Sequence, residues 1–389
     1  MKYIYFIVKI TISLPILLIH IFLNFFINLK IGKLDTSRIG NILAADLYIA
    51  KKKLEKKNSM DIWVTDNKFC NFTMLDILKR NFNIFNYLKF YYEVINYFSL
   101  KSNLLPDLIT QISLNKDYKY VHSLKTQLNL SARDIKEAKK QIKNIRIPKN
   151  NGIICFTCRD EAYLKTYLKN KNYKYHSYRN SEINSFKPLI KKLIKKKYFV
   201  VRMGKTADKR VGIKDKYFLD YPFSSIKSDL LDFYFAKICN LWVGSNTGLD
   251  CLAVMFQKPM VIINLSPAGV ILHNIKNKKA IYHLKTYYLN NKRISLQEIF
   301  DKNLHNIGKT EIFEKKKVKL KSAAAKEIIE ICIEGINFFL NKKKFLTKDI
   351  INQNKYKNLL SILLERKKSN FISFLSPIFL RKNKWLLKQ

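Results

Sequence analysis

Hydrophobic and polar positions alternate along the second half of the chain in a pattern that predicts strands and helices in turn. Short apolar runs, such as GIICFTC at 152–158 and YFVVRMG at 198–204, are typical of buried strands. Between them, FKPLIKKLIKKK at 186–197 repeats its apolar residues at helical spacing. Strands separated by single helices predict a parallel, doubly wound sheet.

The first half of the chain shows the same alternation in weaker form. FFINLKIG at 25–32 and DIWVTD at 61–66 indicate strands, and a turn and helix follow the first of them. Ser131 with Asp134 three residues later is a capping-box pattern that predicts a helix over 131–148. The predicted fold is therefore α/β, with two Rossmann-like lobes (the GT-B architecture), an N-terminal hydrophobic helix and C-terminal helices. The expected divisions are 1–24 (membrane-associated helix), 25–148 (N-terminal Rossmann-like lobe), 149–320 (C-terminal Rossmann-like lobe) and 321–389 (helical region).

The N-terminal tract is long and apolar enough to meet a membrane. Residues 10–29 carry no formal charge with histidine neutral, and about 20 apolar residues can cross a bilayer. A polar stripe of Lys9, Ser13, His20, Asn24 and Asn28 nevertheless suits a helix lying in the interface or packed on protein as well as a spanning one. We expect a membrane-associated helix near residues 3–23. Spanning, in-plane and buried arrangements all remain open at this stage.

The net charge of +44, from 73 basic and 29 acidic residues, invites a nucleic-acid interpretation. Lysine outnumbers arginine 62 to 11, however, and no recognition-helix, RNP-like or zinc-finger pattern accompanies the charge. We therefore expect no nucleic-acid partner, whereas a dispersed lysine field suits an anionic membrane surface. Scarce arginine in turn marks positions where a planar guanidinium fork is needed.

Four short polar stretches follow predicted strands, where doubly wound sheets bind their ligands. They are SRIGN (37–41), CRDEAY (158–163), RMGK (202–205) and GSNTG (244–248). In GSNTG, Gly244 would permit a tight turn and Gly248 a close backbone approach. The three residues between them would cap a helix whose N-terminus faces a phosphate. A capped helix without a ligand is the plainer alternative.

Arginines sharpen the ligand hypothesis, because Arg159 and Arg202 would lie at strand ends of one sheet and could grip a diphosphate. Asp160 and Asp229 could bind sugar hydroxyls, and Asp160 could act as a general base. Each carboxylate also has a structural alternative, as an ion-pair partner or a helix first-turn residue. Arg179, in YRNSEI, is suggestive as well.

Taken in order, CRDEAYL, YRNSEINSFKPLI, VVRMGK, DLLDFYFAKICNLWVGSNTGLD and SPIFLRKNKWLL resemble a family of bacterial glycosyltransferases found in surface-polysaccharide gene sets. More distantly, CRDEAY is similar to fucosyltransferase-like enzymes and SRIGN to the first turn of heptosyltransferases. The resemblance implies a nucleotide-sugar in the C-terminal lobe, an acceptor in the N-terminal lobe and no metal. Heptosyltransferase-type turns carry an aspartate where this chain has Asn41.

Together these arguments give one set of expectations. The protein would be a metal-independent glycosyltransferase without a cofactor, acting on a glycan or lipid-linked acceptor at the cytoplasmic side of the inner membrane. A membrane-associated basic binding protein without catalysis is the alternative. The candidate residues are Arg159 and Asp160 (catalytic), Arg202, Gly204, Gly244, Ser245, Asn246, Thr247, Gly248, Asp229 and Arg179 (donor-binding), and Arg38, Gly40 and Asn41 (acceptor side).

Overall fold

The computed structural model of the chain describes residues 2–98, 104–106, 125–145, 147–148, 152–167, 173–270, 280–363 and 373–388. The chain forms two compact units, Met1–Leu130 and Ser131–Gln389.

The first unit contains a short parallel sheet covered by helices. Its elements are α1 (Lys2–Ile27), β1 (Leu29–Leu34), α2 (Ile42–Leu54), β2 (Met60–Thr65), α3 (Phe72–Asn81), β3 (Asn83–Ile84) and α4 (Lys89–Tyr97). The strands lie in the order β1-β2-β3. Trp63 on β2 is buried and makes edge-to-face contacts with Tyr48 and Phe82, which anchors helix and sheet to each other.

Helix α1 is longer than the sequence predicted. It continues to Ile27, and β1 begins at Leu29, so the predicted strand at 25–32 starts four residues too early. Asn28 separates the two elements in a left-handed conformation with φ 47°. Asparagine tolerates that region better than most residues, which lets the chain leave the helix abruptly.

The second unit is larger. Its helices are α5 (Ala132–Gln141), α6 (Ala162–Tyr167), α7 (Ile183–Lys195), α8 (Asp229–Ile238), α9 (Asp250–Met255), α10 (Leu296–Asp301), α11 (Thr310–Lys315), α12 (Ala325–Phe339), α13 (Thr347–Leu363) and α14 (Pro377–Lys382). Its strands are β4 (Ile153–Thr157), β5 (Phe199–Met203), β6 (Phe218–Asp220), β7 (Leu241–Gly244), β8 (Met260–Leu265), β9 (Ala280–Leu284), β10 (Thr286–Leu289), β11 (Lys292–Arg293), β12 (Val318–Lys321) and β13 (Phe374–Leu375).

Seven strands of this unit form one parallel sheet in the order β13-β9-β8-β7-β4-β5-β6. This arrangement, with helices between the strands, confirms the predicted α/β fold class. A small antiparallel sheet, β11-β10-β12, was not predicted from the sequence.

The capping box at the start of α5 is present as predicted, with Ser131 and Asp134 bonding each other's backbone N–H groups. The helix ends at Gln141, however, well before residue 148. Its Gln141 Oε1 accepts a hydrogen bond of 2.7 Å from Ser228 Oγ at the start of α8. The division between the units therefore falls before α5, and this helix belongs with the second unit.

Helices α7 and α12 bury one face of the large sheet. Phe186 and Leu189 of α7 and Ile328 and Ile331 of α12 pack with Ile154 in a single apolar cluster. Burial of each such side chain contributes about 1.5–3 kcal/mol. Because α12 completes this core, the region after residue 321 is an integral part of the second unit.

Strand order reverses between β4 and β7. From β4 the chain moves to β5 and β6 on one side, and then returns to β7, β8 and β9 on the other. The loops that leave the carboxyl ends of β4 and β7 therefore diverge, which opens the crevice where doubly wound sheets bind ligands. CRDEAY and GSNTG are those two loops.

Candidate active site

The loops after β4 and β7 are fastened to each other at the reversal point. The backbone N–H of Arg159 donates to Ser245 Oγ at 2.7 Å, and the Ser245 N–H donates to Thr157 Oγ1 at 3.1 Å. Ser245 and Thr157 are buried, so these bonds are shielded from water. The Ser245 side chain thus fixes where Arg159 leaves the strand.

The buried carboxylate of Asp250 stabilises the same junction between the two loops. Asp250 accepts hydrogen bonds from Trp242 Nε1 at 2.8 Å, Thr157 Oγ1 at 3.0 Å and the Thr247 N–H at 2.7 Å. Burial raises the pKa of Asp250, although these hydrogen bonds act in the opposite direction. A Cβ at Gly244 would lie 2.8 Å from Asp250 Cγ. Gly244 therefore makes room for the carboxylate, rather than providing the tight turn expected from the sequence.

Asn246 is the residue of this loop with an unusual backbone. Its φ of 61° lies in the left-handed region, where asparagine is tolerated. Its Nδ2 donates to the Ser266 carbonyl at 2.7 Å, which ties the β7 loop to the loop after β8. Its Oδ1 accepts from Arg179 Nη2 at 2.9 Å, and its carbonyl accepts from the same nitrogen. Asn246 thereby holds a guanidinium group at the reversal point.

Helix α9 does not provide the phosphate site expected at its N-terminus. It has only six residues, and the carboxylate of Asp250 already accepts the Thr247 N–H that opens the turn. Gly248 is exposed between them. The structural alternative, a capped turn, therefore describes Thr247 and Gly248 better than a phosphate cradle does.

Lys285 is a site residue that sequence analysis missed. It follows β9 directly and is 5% exposed, with Nζ donating to the carbonyls of Tyr178 at 2.9 Å and Asn180 at 2.7 Å. Burial and, to a smaller extent, the nearby charge of Arg159 together lower the pKa of Lys285 to about 8. The signal in the sequence was a lysine at the end of an otherwise apolar strand, IYHLK, in a chain where lysine is common.

Arg159, Arg179 and Lys285 form one cationic cluster. Burial raises the pKa of Tyr178, and the charges of Arg179 and Arg159 both act against that rise, so both guanidinium groups lie near this ring. Lys285 donates to the carbonyl of the same residue. Three cations, from the β4 loop, the 173–179 segment and the end of β9, thus lie within electrostatic range of one another or of Tyr178 at the carboxyl edge of the sheet. Such a cluster suits an anion with more than one negative oxygen.

Arg202 does not join this cluster, contrary to the sequence expectation. Its side chain is 1% exposed and donates to the Lys209 carbonyl at 2.6 Å and to Asp220 Oδ1 at 3.3 Å. A further ion pair of 3.7 Å joins it to Asp160 Oδ2. With its buried guanidinium bonded to these partners, Arg202 joins β5 to β6 and to the β4 loop.

Asp160 is occupied in a similar way. One oxygen accepts from the Ala162 N–H at 3.1 Å and the other from the Asp208 N–H at 3.0 Å. Burial raises the pKa of Asp160. The carboxylate thus joins the β4 loop to the loop after β5, which is a positioning role for the neighbouring Arg159.

The remaining donor-side candidates have structural partners. Asp229 opens α8 behind the Ser228 cap and lies 3.5 Å from Lys205 Nζ. Its first-turn position corresponds to the structural alternative given for it. At Gly204, a Cβ would meet Pro222 Cγ at 3.2 Å, so this glycine allows close backbone packing after β5.

The acceptor-side candidates lie together in the first unit, on the turn between β1 and α2. Arg38 is exposed, Gly40 is buried and Asn41 directly precedes α2. The turn is fastened by Asp66, which follows β2 and accepts from the Thr36 N–H at 2.9 Å. Across the part of the chain that the structure describes, no group of three or more His, Cys, Asp or Glu side chains is placed to hold a metal ion.

Comparison with solved structures returns glycosyltransferases. A family 9 glycosyl transferase from Veillonella parvula is 11% identical, with 81% of this chain and 97% of that one covered and a TM-score of 0.46. The ADP-heptose lipopolysaccharide heptosyltransferase II of E. coli is 12% identical, with 61% and 86% covered and a TM-score of 0.36. No protein-family model and no curated protein sequence matches the chain significantly. These neighbours support the distant similarity to glycosyltransferases that the sequence motifs suggested. The argument for function rests on the site itself.

Proposed function

We propose that the protein is a glycosyltransferase that moves a sugar from a nucleotide-sugar donor to a glycan or lipid-linked acceptor. The observation that carries this proposal is the cationic cluster of Arg159, Arg179 and Lys285 on the carboxyl edge of the large sheet of the second unit. A nucleotide-sugar has a diphosphate with several negative oxygens, which matches a cluster of two planar forks and one ammonium group.

In the proposed reaction, the bond between the anomeric carbon and the diphosphate oxygen breaks, and its electron pair leaves with the diphosphate. A hydroxyl oxygen of the acceptor forms the new bond to the anomeric carbon and loses its proton. Negative charge therefore grows on the leaving diphosphate in the transition state. Fixed cations near that charge lower the barrier, because they need no reorganisation as the reaction proceeds.

The three cations have distinct roles in this proposal. Arg159 is the catalytic residue, because Ser245 fixes its backbone at the reversal point. Arg179 is oriented by Asn246 and contributes to donor binding. Lys285, which is buried, supplies a positive field and one N–H donor beyond the two that bond the Tyr178 and Asn180 carbonyls. Asp160 positions Arg159. The base role suggested by the resemblance is tested by Asp160→Asn: if Asp160 is the base, the variant should lose the acidic limb of the pH–rate profile, where activity falls as the carboxylate is protonated.

The acceptor is proposed to bind at the Arg38–Asn41 turn of the first unit, and the reaction to take place at the cytoplasmic side of the inner membrane in surface-polysaccharide synthesis. Support for the membrane comes from α1, in which Tyr3–Ile27 has a mean hydropathy of 2.3 and a length that could cross a bilayer. We also propose that the reaction needs neither a metal ion nor a cofactor.

A thermal-shift panel of UDP, GDP, ADP, CMP and dTDP tests donor binding. One nucleoside diphosphate should raise the melting temperature, and Arg159→Ala should abolish most of that rise. Arg293→Ala is the matched control, since Arg293 is an exposed arginine of the same unit that bonds only Tyr288 among the hydrogen bonds described. Equal shifts in both variants, or no shift with any nucleotide, would contradict the proposal.

A binding protein without catalysis is the competing function, since α1 and the basic surface would serve it equally well. Turnover separates the two. A glycosyltransferase should slowly hydrolyse its nucleotide-sugar to free sugar and diphosphate even without an acceptor, and Arg159→Ala should slow that hydrolysis. Nucleotide binding without measurable hydrolysis or transfer would favour the binding protein.

A further inference from the structure

Helix α1 packs on the first unit through its polar stripe. Side chains at spacings of three and four, from Phe6 through Ser13 and His20 to Asn24, are buried or half-buried, while most positions between them are exposed. Ser13 is 2% exposed and His20 4% exposed. The stripe therefore faces protein, which was one of the arrangements left open by the sequence.

Specific contacts hold this stripe in place. Lys9 Nζ forms an ion pair of 2.5 Å with Glu93 Oε2 of α4. His20 Nδ1 lies 2.8 Å from the Tyr91 hydroxyl, and its Nε2 lies 2.9 Å from the Leu29 carbonyl. The ring of Phe6 meets Tyr97 with centroids 4.8 Å apart. The helix is thus fastened to α4 near both of its ends.

The opposite face of α1 is apolar and exposed. Leu14, Leu18, Phe22, Phe25 and Phe26 are between 57% and 86% exposed, and only 11% of the helix's most apolar window is buried. An ordinary surface helix shows the reverse, with its apolar stripe on protein and its polar face in solvent. An exposed apolar face of this size marks an interaction surface.

The docked length decides how this face can meet a membrane. From Phe6 to Asn24 the fastened part of α1 is about 27 Å long at 1.5 Å per residue, close to the roughly 30 Å of a hydrocarbon core. A spanning orientation would draw Tyr91, Glu93 and the rest of α4 into the bilayer. An orientation in the membrane plane leaves these contacts intact and still removes the apolar face from water.

We propose that α1 lies in the plane of an anionic phospholipid bilayer, with its polar stripe on α4 and its apolar face among the acyl chains. The lipid is the chosen occupant because the chain carries a net charge of +44, which anionic headgroups complement. Tyr3 and Tyr5, 86% and 66% exposed near the start of α1, are residue types typical of the headgroup level.

Vesicle sedimentation with the full chain tests whether the apolar face of α1 binds lipid. Wild-type protein should bind vesicles of phosphatidylcholine with phosphatidylglycerol and bind pure phosphatidylcholine less. Leu18→Glu with Phe22→Glu should lower binding by about tenfold or more, because charges on the embedded face oppose insertion. Phe72→Glu is the matched control, since Phe72 is 66% exposed against 63% for Phe22 but lies on α3. An equal loss in the control, or no loss in the double variant, would overturn the proposal.

Sidedness tests the orientation. In sealed vesicles with the protein on the outside, an N-terminal tag before α1 should be digested by added protease without detergent. Protection of the tag until detergent is added would mean that α1 spans, and would overturn the in-plane arrangement. Sedimentation equilibrium without lipid tests whether a second copy of the chain covers the apolar face instead. A stoichiometric wild-type dimer that does not bind vesicles, and that the Leu18→Glu/Phe22→Glu variant fails to form, would overturn the lipid proposal.

Discussion

Lys285 should take up a proton when a diphosphate binds. Burial lowers the pKa of Lys285 to about 8, so in the free protein the ammonium form is about half populated near pH 8. A bound anion favours the charged amine and raises this pKa again. If the complex is fully protonated, binding should take up about 0.1 proton at pH 7, about 0.5 at pH 8 and about 0.9 at pH 9.

Isothermal titration calorimetry in two buffers of different ionisation enthalpy measures this uptake directly. The experiment uses the nucleoside diphosphate that stabilises the protein, at each of the three pH values. Lys285→Met should bind more weakly and take up no proton, and Lys285→Arg should keep a cation while losing the uptake. Uptake that is equal in the wild type and Lys285→Met, or independent of pH, would refute the reasoning.

Stability without ligand offers an independent check on the same group. Because the folded-state pKa is lowered, the folded protein binds fewer protons than the unfolded chain between about pH 8 and 10.5, so the free energy of unfolding should rise with pH across that window. A shift of about two to three pKa units corresponds to about 3 kcal/mol, at the order-of-magnitude level. The rise should be smaller in Lys285→Met.

Two further predictions concern the structural side of the site. Gly244→Ala should destabilise the protein by about 1–3 kcal/mol, because the added Cβ would meet Ile262 Cδ1 at 2.5 Å and Asp250 Cγ at 2.8 Å. Gly308→Ala, where nothing lies within 4 Å of the added atom, should be neutral or slightly stabilising, and urea unfolding of both variants checks the contrast. Arg202→Met should cost about 1–3 kcal/mol, because it leaves the half-buried carboxylates of Asp160 and Asp220 without their buried partner. If nucleotide affinity fell while the free energy of unfolding stayed unchanged, Arg202 would be a ligand contact instead.

The sheet of the second unit was predictable because its strands are short apolar runs separated by amphipathic helices. GIICFTC became β4 and YFVVRMG became β5 within one residue at each end. The loops that carry the site followed from the same pattern, since a strand end can be read from the sequence. The strands β6 and β13 were missed, because two or three residues show no period, and the five-residue strand β9 was missed as well.

Which side chains face the ligand could not be predicted, since that depends on pairings across long sequence separations. Arg159 and Arg202 both follow an apolar run in the sequence. In the structure Asp220 forms an ion pair with Arg202, which is buried. In GSNTG the sequence drew attention to the glycines, whereas Asn246 has the left-handed backbone and the contacts. Lys285 differs from the other lysines in being buried at the end of a strand. The sequence does not reveal this, because the chain contains 62 lysines.

Thr310 at the start of α11 links a distant part of the chain to the cluster. Its hydroxyl lies 3.0 Å from Ser177 Oγ, accepts from the Tyr178 N–H at 3.2 Å and donates to the Tyr175 carbonyl at 3.2 Å. One hydroxyl thus organises the turn that presents Arg179. Under the proposed function, a substitution at position 310, more than a hundred residues away in sequence, would change how Arg179 is held and hence the affinity for the diphosphate, without altering any of the three proposed cationic contacts.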